Sequence, residues 1–208
     1  MNTNASITSI NLHISKGNSK TGAIPSFSLP SGKTCSKTAC ATCYQQGCYA
    51  RKIERLRPVV RATYKDNLSL ILEQPDAVER ELNAYFDMPN STKLFRIHVS
   101  GDFFSKEYFE LWLRVIRKHP TTKFLAFTKQ KDIISPYLND LPENLSLVWS
   151  SWPGIPVPRV IRRVLPVAWM QDGNEKRIPK KAITCPGNCE TCARCWALSG
   201  HDVVFNKH

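Results

Sequence analysis

Apolar residues recur along the chain with two different periods. From Ile53 onward they fall at Leu56, Val60, Tyr64, Leu68, Ile71 and Leu72. Those steps of three and four predict an amphipathic helix, bent at Pro58. Val78, Leu82, Tyr85 and Phe86 repeat the period in a shorter helix after Pro75. Over residues 93–100 the period drops to two: Phe95, Ile97 and Val99 share one face, and Arg96, His98 and Ser100 the other. Gly101-Asp102 ends this strand. Ser105 then caps a helix carrying Tyr108, Leu111, Trp112 and Val115, which stops before Pro120. Residues 123–128, 145–152 and 164–169 predict further strands, and 132–139 a short helix. Residues 23–29, with Pro25 inside, read as a short or edge strand, and 1–22 as polar and loop-rich. Strands alternating with helices predict an α/β fold, a partial (β/α) barrel or parallel sheet. It carries a cysteine-rich N-terminal loop and a C-terminal cysteine-rich tail. Arg96 and His98 would then point into a polar lumen, since burying both without partners costs several kcal/mol. A satisfied core histidine is the competing reading of His98.

The chain has 208 residues, 42% hydrophobic and 22% charged, enough to bury a core. No apolar run approaches the ~18 residues of a membrane-spanning helix, and residues 1–19 lack the pattern of a cleaved leader. The expected location is cytoplasmic, with no membrane partner.

The eight cysteines change the picture. They form two tight runs, Cys35, Cys40, Cys43, Cys48 and Cys185, Cys189, Cys192, Cys195. Such short loops make poor disulfide staples but present several thiolates to one point. The runs read as metal ligands. Cys-x3-Cys-x2-Cys-x2-Cys resembles iron–sulfur ligation, one or two [4Fe–4S] clusters, whereas zinc favours separated Cys-x2-Cys pairs and stays open as the alternative. His201, just after the second run, reads as a tail residue or an extra ligand.

Lys and Arg number 29 against 17 Asp and Glu, a net charge of +12. Two four-thiolate sites would lower it only to about +8. Basic residues concentrate at 51–57, 159–163 and 176–181, which fits a nucleic acid, a nucleotide or another anionic substrate as partner.

The order of strand, cysteine loop, helix, strand ending in Ser100-Gly101-Asp102, helix and strand resembles the start of a radical S-adenosylmethionine (SAM) enzyme. The resemblance implies that Cys35, Cys40 and Cys43 hold a [4Fe–4S] cluster with one iron open to SAM. Ser100, Gly101 and Asp102 would replace the glycine-rich turn that binds SAM, with Thr128 and Lys129 on the next strand end as further cofactor contacts. An electron donor is implied as a partner. The first spacing is Cys-x4-Cys where that superfamily usually has x3, and Asp102 stands where Glu is common. The two runs could therefore exchange roles, or SAM binding could be lost. Asn18-Ser-Lys-Thr-Gly22, Pro25-Ser-Phe-Ser-Leu29 and Cys48-Tyr-Ala50 are closer to the phage "gene product eighty-eight" family, which would place the chain in a bacterial host's cytosol. The division expected is a core at 1–170 with the first cysteine cluster, and a metal-binding extension at 171–208 packed on it. The function expected is reductive SAM cleavage acting on an anionic substrate. The alternative is a metal-stapled nucleic-acid-binding phage or plasmid protein without catalysis. No catalytic side chain is identified by these patterns, and neither is the oligomeric state.

Overall fold

The computed structural model describes residues 10–198 and 200–206; the expectation of a leaderless, polar start at 1–9 lies outside them. In chain order the elements are β1 (Ile14–Ser15), β2 (Ser26–Phe27), α1 (Lys37–Ala41), α2 (Cys43–Gln46), α3 (Tyr49–Leu56), α4 (Pro58–Glu73) and α5 (Pro75–Asp87). Then come β3 (Leu94–Ile97), α6 (Lys106–Lys118), β4 (Lys123–Thr128), α7 (Lys131–Ile134), β5 (Leu145–Ser150) and α8 (Arg159–Arg162). β6 (Val167–Gln171), β7 (Ile183–Thr184), α9 (Cys189–Cys192) and β8 (Val203–Asn206) complete the described chain. The strands form one eight-stranded sheet in the order β1-β2-β3-β4-β5-β6-β8-β7. β1 is antiparallel to β2, and every other neighbouring pair is parallel. The sheet is open: among the described residues no strand pairing joins its two edges. β7 and β8 lie within residues 171–208, and β8 pairs with β6 and continues the sheet.

Because β2 to β6 are laid down in chain order, right-handed crossovers bring the connecting helices to a single face. On that face Phe95, Ile97, Phe124, Ala126, Leu147, Trp149 and Val167 meet Ile71, Val78, Leu82, Phe86, Phe109 and Trp112 of α4, α5 and α6. The alternate strand residues, Leu125, Val148 and Ala168, turn to the inner face and pack on Trp196, Leu198 and Val203. Pro starts both α4 and α5, where its missing N–H costs nothing, and Pro58 divides the expected long helix into α3 and α4. Ser105 caps α6 by accepting from the Tyr108 N–H. The expected helix at 132–139 is α7 followed by a 3₁₀ turn at Ser135–Tyr137.

One expectation about the strand faces is corrected. Arg96 does face inward, its guanidinium 4.8 Å from the Phe127 ring centre. His98 does not share that face. The strand ends at Ile97, and His98 takes φ 65°, which breaks the alternation. Its ring packs edge-on against Phe103 and tilted against Tyr108, with Nε2 2.8 Å from the Tyr108 hydroxyl.

Candidate cysteine-lined site

β2 is the first strand of the parallel series, and its carboxyl end leads directly into the first cysteine loop. Short helices wrap this loop. Ser36 caps α1 by accepting from the Ala39 N–H, Cys40 lies within α1, Cys43 opens α2, and Cys48 precedes α3. The loop is pinned to the next strand end. The Thr34 hydroxyl donates to the Pro30 carbonyl (2.9 Å) and accepts from the Asp102 N–H (3.2 Å). The buried Glu54 carboxylate on α3 accepts from the Ser31 N–H (2.9 Å) and the Ser100 hydroxyl (2.8 Å). Gly101 has φ 84°, and a Cβ there would come within 2.7 Å of Leu29 and Thr34. Glycine is therefore what lets the Ser100-Gly101-Asp102 turn lie against the cysteine loop.

The remaining expected contacts meet there too. The Lys129 N–H donates to Asp102 Oδ2 (2.8 Å), Lys129 Nζ donates to Ser150 Oγ (2.6 Å), and Thr128 Oγ1 accepts from the Gln130 N–H (3.0 Å). Gln130 Nε2 donates to the Thr34 carbonyl at 3.0 Å. Burial pushes the Asp102 carboxyl up to about 6, opposed by the amide hydrogen bonds it accepts. Beside this edge lies a cleft of about 530 Å³ lined by Gln46, Trp152, Met170, Asp172, Lys176 and Arg177. Trp152 Nε1 donates to Gln46 Oε1 (3.0 Å), so the cleft wall is tied to the cysteine loop.

The second set is elsewhere. The loop at 185–198 crosses the inner face: Cys185, Cys189 and Cys195 pack with Trp196, whose Nε1 donates to the Phe95 carbonyl (3.1 Å), and the Cys195 carbonyl accepts from Ser146 Oγ (2.6 Å). Residues 18–22 hold it from the opposite end of the chain. The Lys20 carbonyl accepts from the Cys189 N–H (2.8 Å), and Gly22 lies directly against the Glu190 side chain. The two edges of the open sheet are thus linked by a loop latch. His201 lies in the exposed turn before β8.

Each thiol is half-buried. Burial pushes Cys35 and Cys195 up to about 12 and raises Cys43 and Cys189. The cysteines that act electrostatically on each are members of its own set, so the loops form two separate groups. Cations stand beside them: Lys129 at Cys43, Arg96 and Lys20 at Cys189, and Arg96 at Cys195. A thiol held so high ligates only when a metal displaces its proton. In the first set Cys40 Sγ points to the Gly32 carbonyl (3.1 Å) and Cys43 Sγ to the Ala39 carbonyl (3.5 Å). Among the described residues no three Cys, His, Asp or Glu side chains stand close enough to hold a metal ion.

Residue patterns alone did not single out Glu54, Lys20 or Gly22. Glu54 carried a signal, a carboxylate on the inward stripe of α3 next to Ala50. Lys20 and Gly22 had none beyond their motif, because their role is a contact with residues far along the chain.

Fold and site together define an open, mostly parallel α/β protein with a cysteine-rich loop at the carboxyl edge of its sheet. The chain belongs to the Gene product 88 family, whose family model matches residues 3–180. It is 31% identical over 207 residues to the Gene 88 protein of Mycobacterium phage L5, covering 88% of this chain and 87% of that one. It is 34% identical over 151 residues to the Gene 88 protein of Mycobacterium phage D29, covering 68% of this chain and 63% of that one. No solved structure matches it. These likenesses support the phage family and lend nothing to the radical SAM resemblance. No helix among the described residues is long and apolar enough to cross a membrane.

Proposed function

We propose that this protein is an iron–sulfur enzyme of radical SAM-like type, working at the carboxyl edge of its sheet on an anionic substrate. The observation that carries the reading is the convergence at that edge. Cys35, Cys40, Cys43 and Cys48, the Ser100-Gly101-Asp102 turn and Thr128-Lys129 come from three strand ends and meet beside one cleft. Ligands of α/β proteins sit at this edge.

The donor set suits a cluster better than a single ion. A tetrahedral zinc, with Zn–S near ~2.3 Å, draws its thiolates to roughly 3.8 Å of one another. A cubane spreads its thiolates more widely. Four cysteines in one run, spaced x4, x2 and x4, match the ligand number of a cubane and depart from the separated Cys-x2-Cys pairs that zinc favours.

With cluster and SAM bound, the chemistry supplied is one-electron reductive cleavage of the sulfonium, with an external electron donor. The chain's own residues bind and orient. Asp102, fixed by the Lys129 and Phe103 amides, offers its carboxylate to an ammonium group. Lys129 places positive charge next to Cys43, and Lys176 adds it along the cleft, where a carboxylate or phosphate would be attracted. Trp152 and Met170 supply apolar wall that excludes water.

The test is anaerobic purification and reconstitution. About four or eight irons per chain, matched by sulfide, and SAM cleavage under dithionite are expected. Replacing Cys35, Cys40 and Cys43 by alanine should abolish cleavage while iron at the C-terminal set remains. Colourless protein with about one or two zincs overturns the proposal.

A further inference from the structure

α3, α4 and the residue between them carry Arg51, Lys52, Arg55, Arg57, Arg61 and Lys65, and all six are exposed. Several cations elsewhere are answered by carboxylates, Arg114 by Glu79, Arg117 by Asp140, Lys118 by Asp87, Arg162 by Asp202 and Arg177 by Glu175, whereas others, such as Arg159, Arg163, Lys180 and Lys181, stand in shorter basic runs outside any ion pair among the described residues. None of the six makes an ion pair among the described residues. The one carboxylate within this stretch, Glu54, is buried and turned inward to Ser31 and Ser100. Asp66, just beyond it, faces His13. The ridge starts at Cys48, where the first cysteine set ends.

We propose that the α3–α4 ridge docks the phosphate backbone of a nucleic acid. Six cations spread over two helices exceed the reach of one small anion, and they match a polymer with regularly spaced negative charge. A membrane-lying helix would present a continuous apolar face. Here Ile71 of α4 is buried on the core, and the exposed large apolar residues of the two helices, Leu56, Val59 and Leu72, are interspersed with the cations or set apart from them rather than forming a stripe along α4. With Tyr49 the single large aromatic exposed at the ridge, contact is with backbone rather than with stacked bases. The inference rests only on the anionic-partner part of the reading above and stands whether or not the cysteines hold iron.

The test is fluorescence anisotropy of the full chain with mixed-sequence oligonucleotides, single-stranded and duplex, across a range of salt. Neutralising four to six phosphates predicts a log–log salt slope of about −3 to −5. The Arg55→Gln/Arg61→Gln protein should bind about 10-fold more weakly and lose about 1–2 from that slope. Arg114→Gln/Lys118→Gln removes the same charge away from the ridge and should leave both unchanged. No binding at low salt, an equal loss in the control pair, or capture by phosphatidylglycerol vesicles in preference to the oligonucleotide each overturns the proposal. Iron content and SAM cleavage are measured on the same ridge variant. Lost oligonucleotide binding with those intact separates the ridge from the cluster chemistry.

Discussion

At His98 a single backbone angle decides which face of the sheet receives a titratable ring. The imidazole leaves the inner face and is enclosed by Phe103 and Tyr108, where burial, reinforced by the Arg96 charge, pulls it down to about 3. Below its ordinary pKa of 6.5 the unfolded chain takes up a proton that the folded chain refuses until about pH 3. The contribution to stability is therefore intact above pH 6.5 and lost as pH falls through that window. Between pH 7 and 5 the wild type should lose roughly 1–2 kcal/mol more unfolding free energy in urea than His98→Asn, a residue that tolerates positive φ. Equal losses would remove His98 from the account. The faces of Phe95, Arg96 and Ile97 were legible from period-two alternation. His98 was not, because the strand stops one residue short of it and no neighbour announces the turn.

Elements with enough residues to show a period were readable. β4 came out at the expected bounds, β3 and β5 inside theirs, and α5 and α6 carry the expected apolar stripes. The short strands β1, β7 and β8 show no readable period and exist because a neighbour pairs with them. The convergence of the first cysteine loop with the next strand ends was legible too, since parallel strands deliver their following loops to a common edge. The latch between residues 18–22 and the C-terminal cysteine loop was not. It joins segments remote in sequence through one amide hydrogen bond and one close approach. Gly22 has φ 62°, and a Cβ there would come within 2.5 Å of the Glu190 Cβ, so something must move. Gly22→Ala should lower stability by about 1–3 kcal/mol. It should also speed alkylation of Cys185, Cys189, Cys192 and Cys195 under native anaerobic conditions while sparing Cys35 to Cys48, as read by peptide mass mapping. Uniform protection of all eight would show that the latch does not hold the loop.

Over the whole molecule, a charge of +12 makes the compact state repel itself. Salt screens that repulsion, so the melting temperature should rise from low to moderate ionic strength. Arg55→Glu/Arg61→Glu should raise the low-salt Tm by about 1–3 °C, with the gain shrinking as salt is added. A fall in Tm would mean that the ridge is already neutralised within the fold. The arrangement of the two thiol groups also bears on synthesis. Everything that surrounds the first group, from β2 to Ser150, is synthesised before the segment at 185–206. The second group is framed by that late segment and by residues made near the beginning. If the two groups take up metal as proposed, one nest of sulfurs is therefore synthesised before the other, and metal delivered during translation would meet it first.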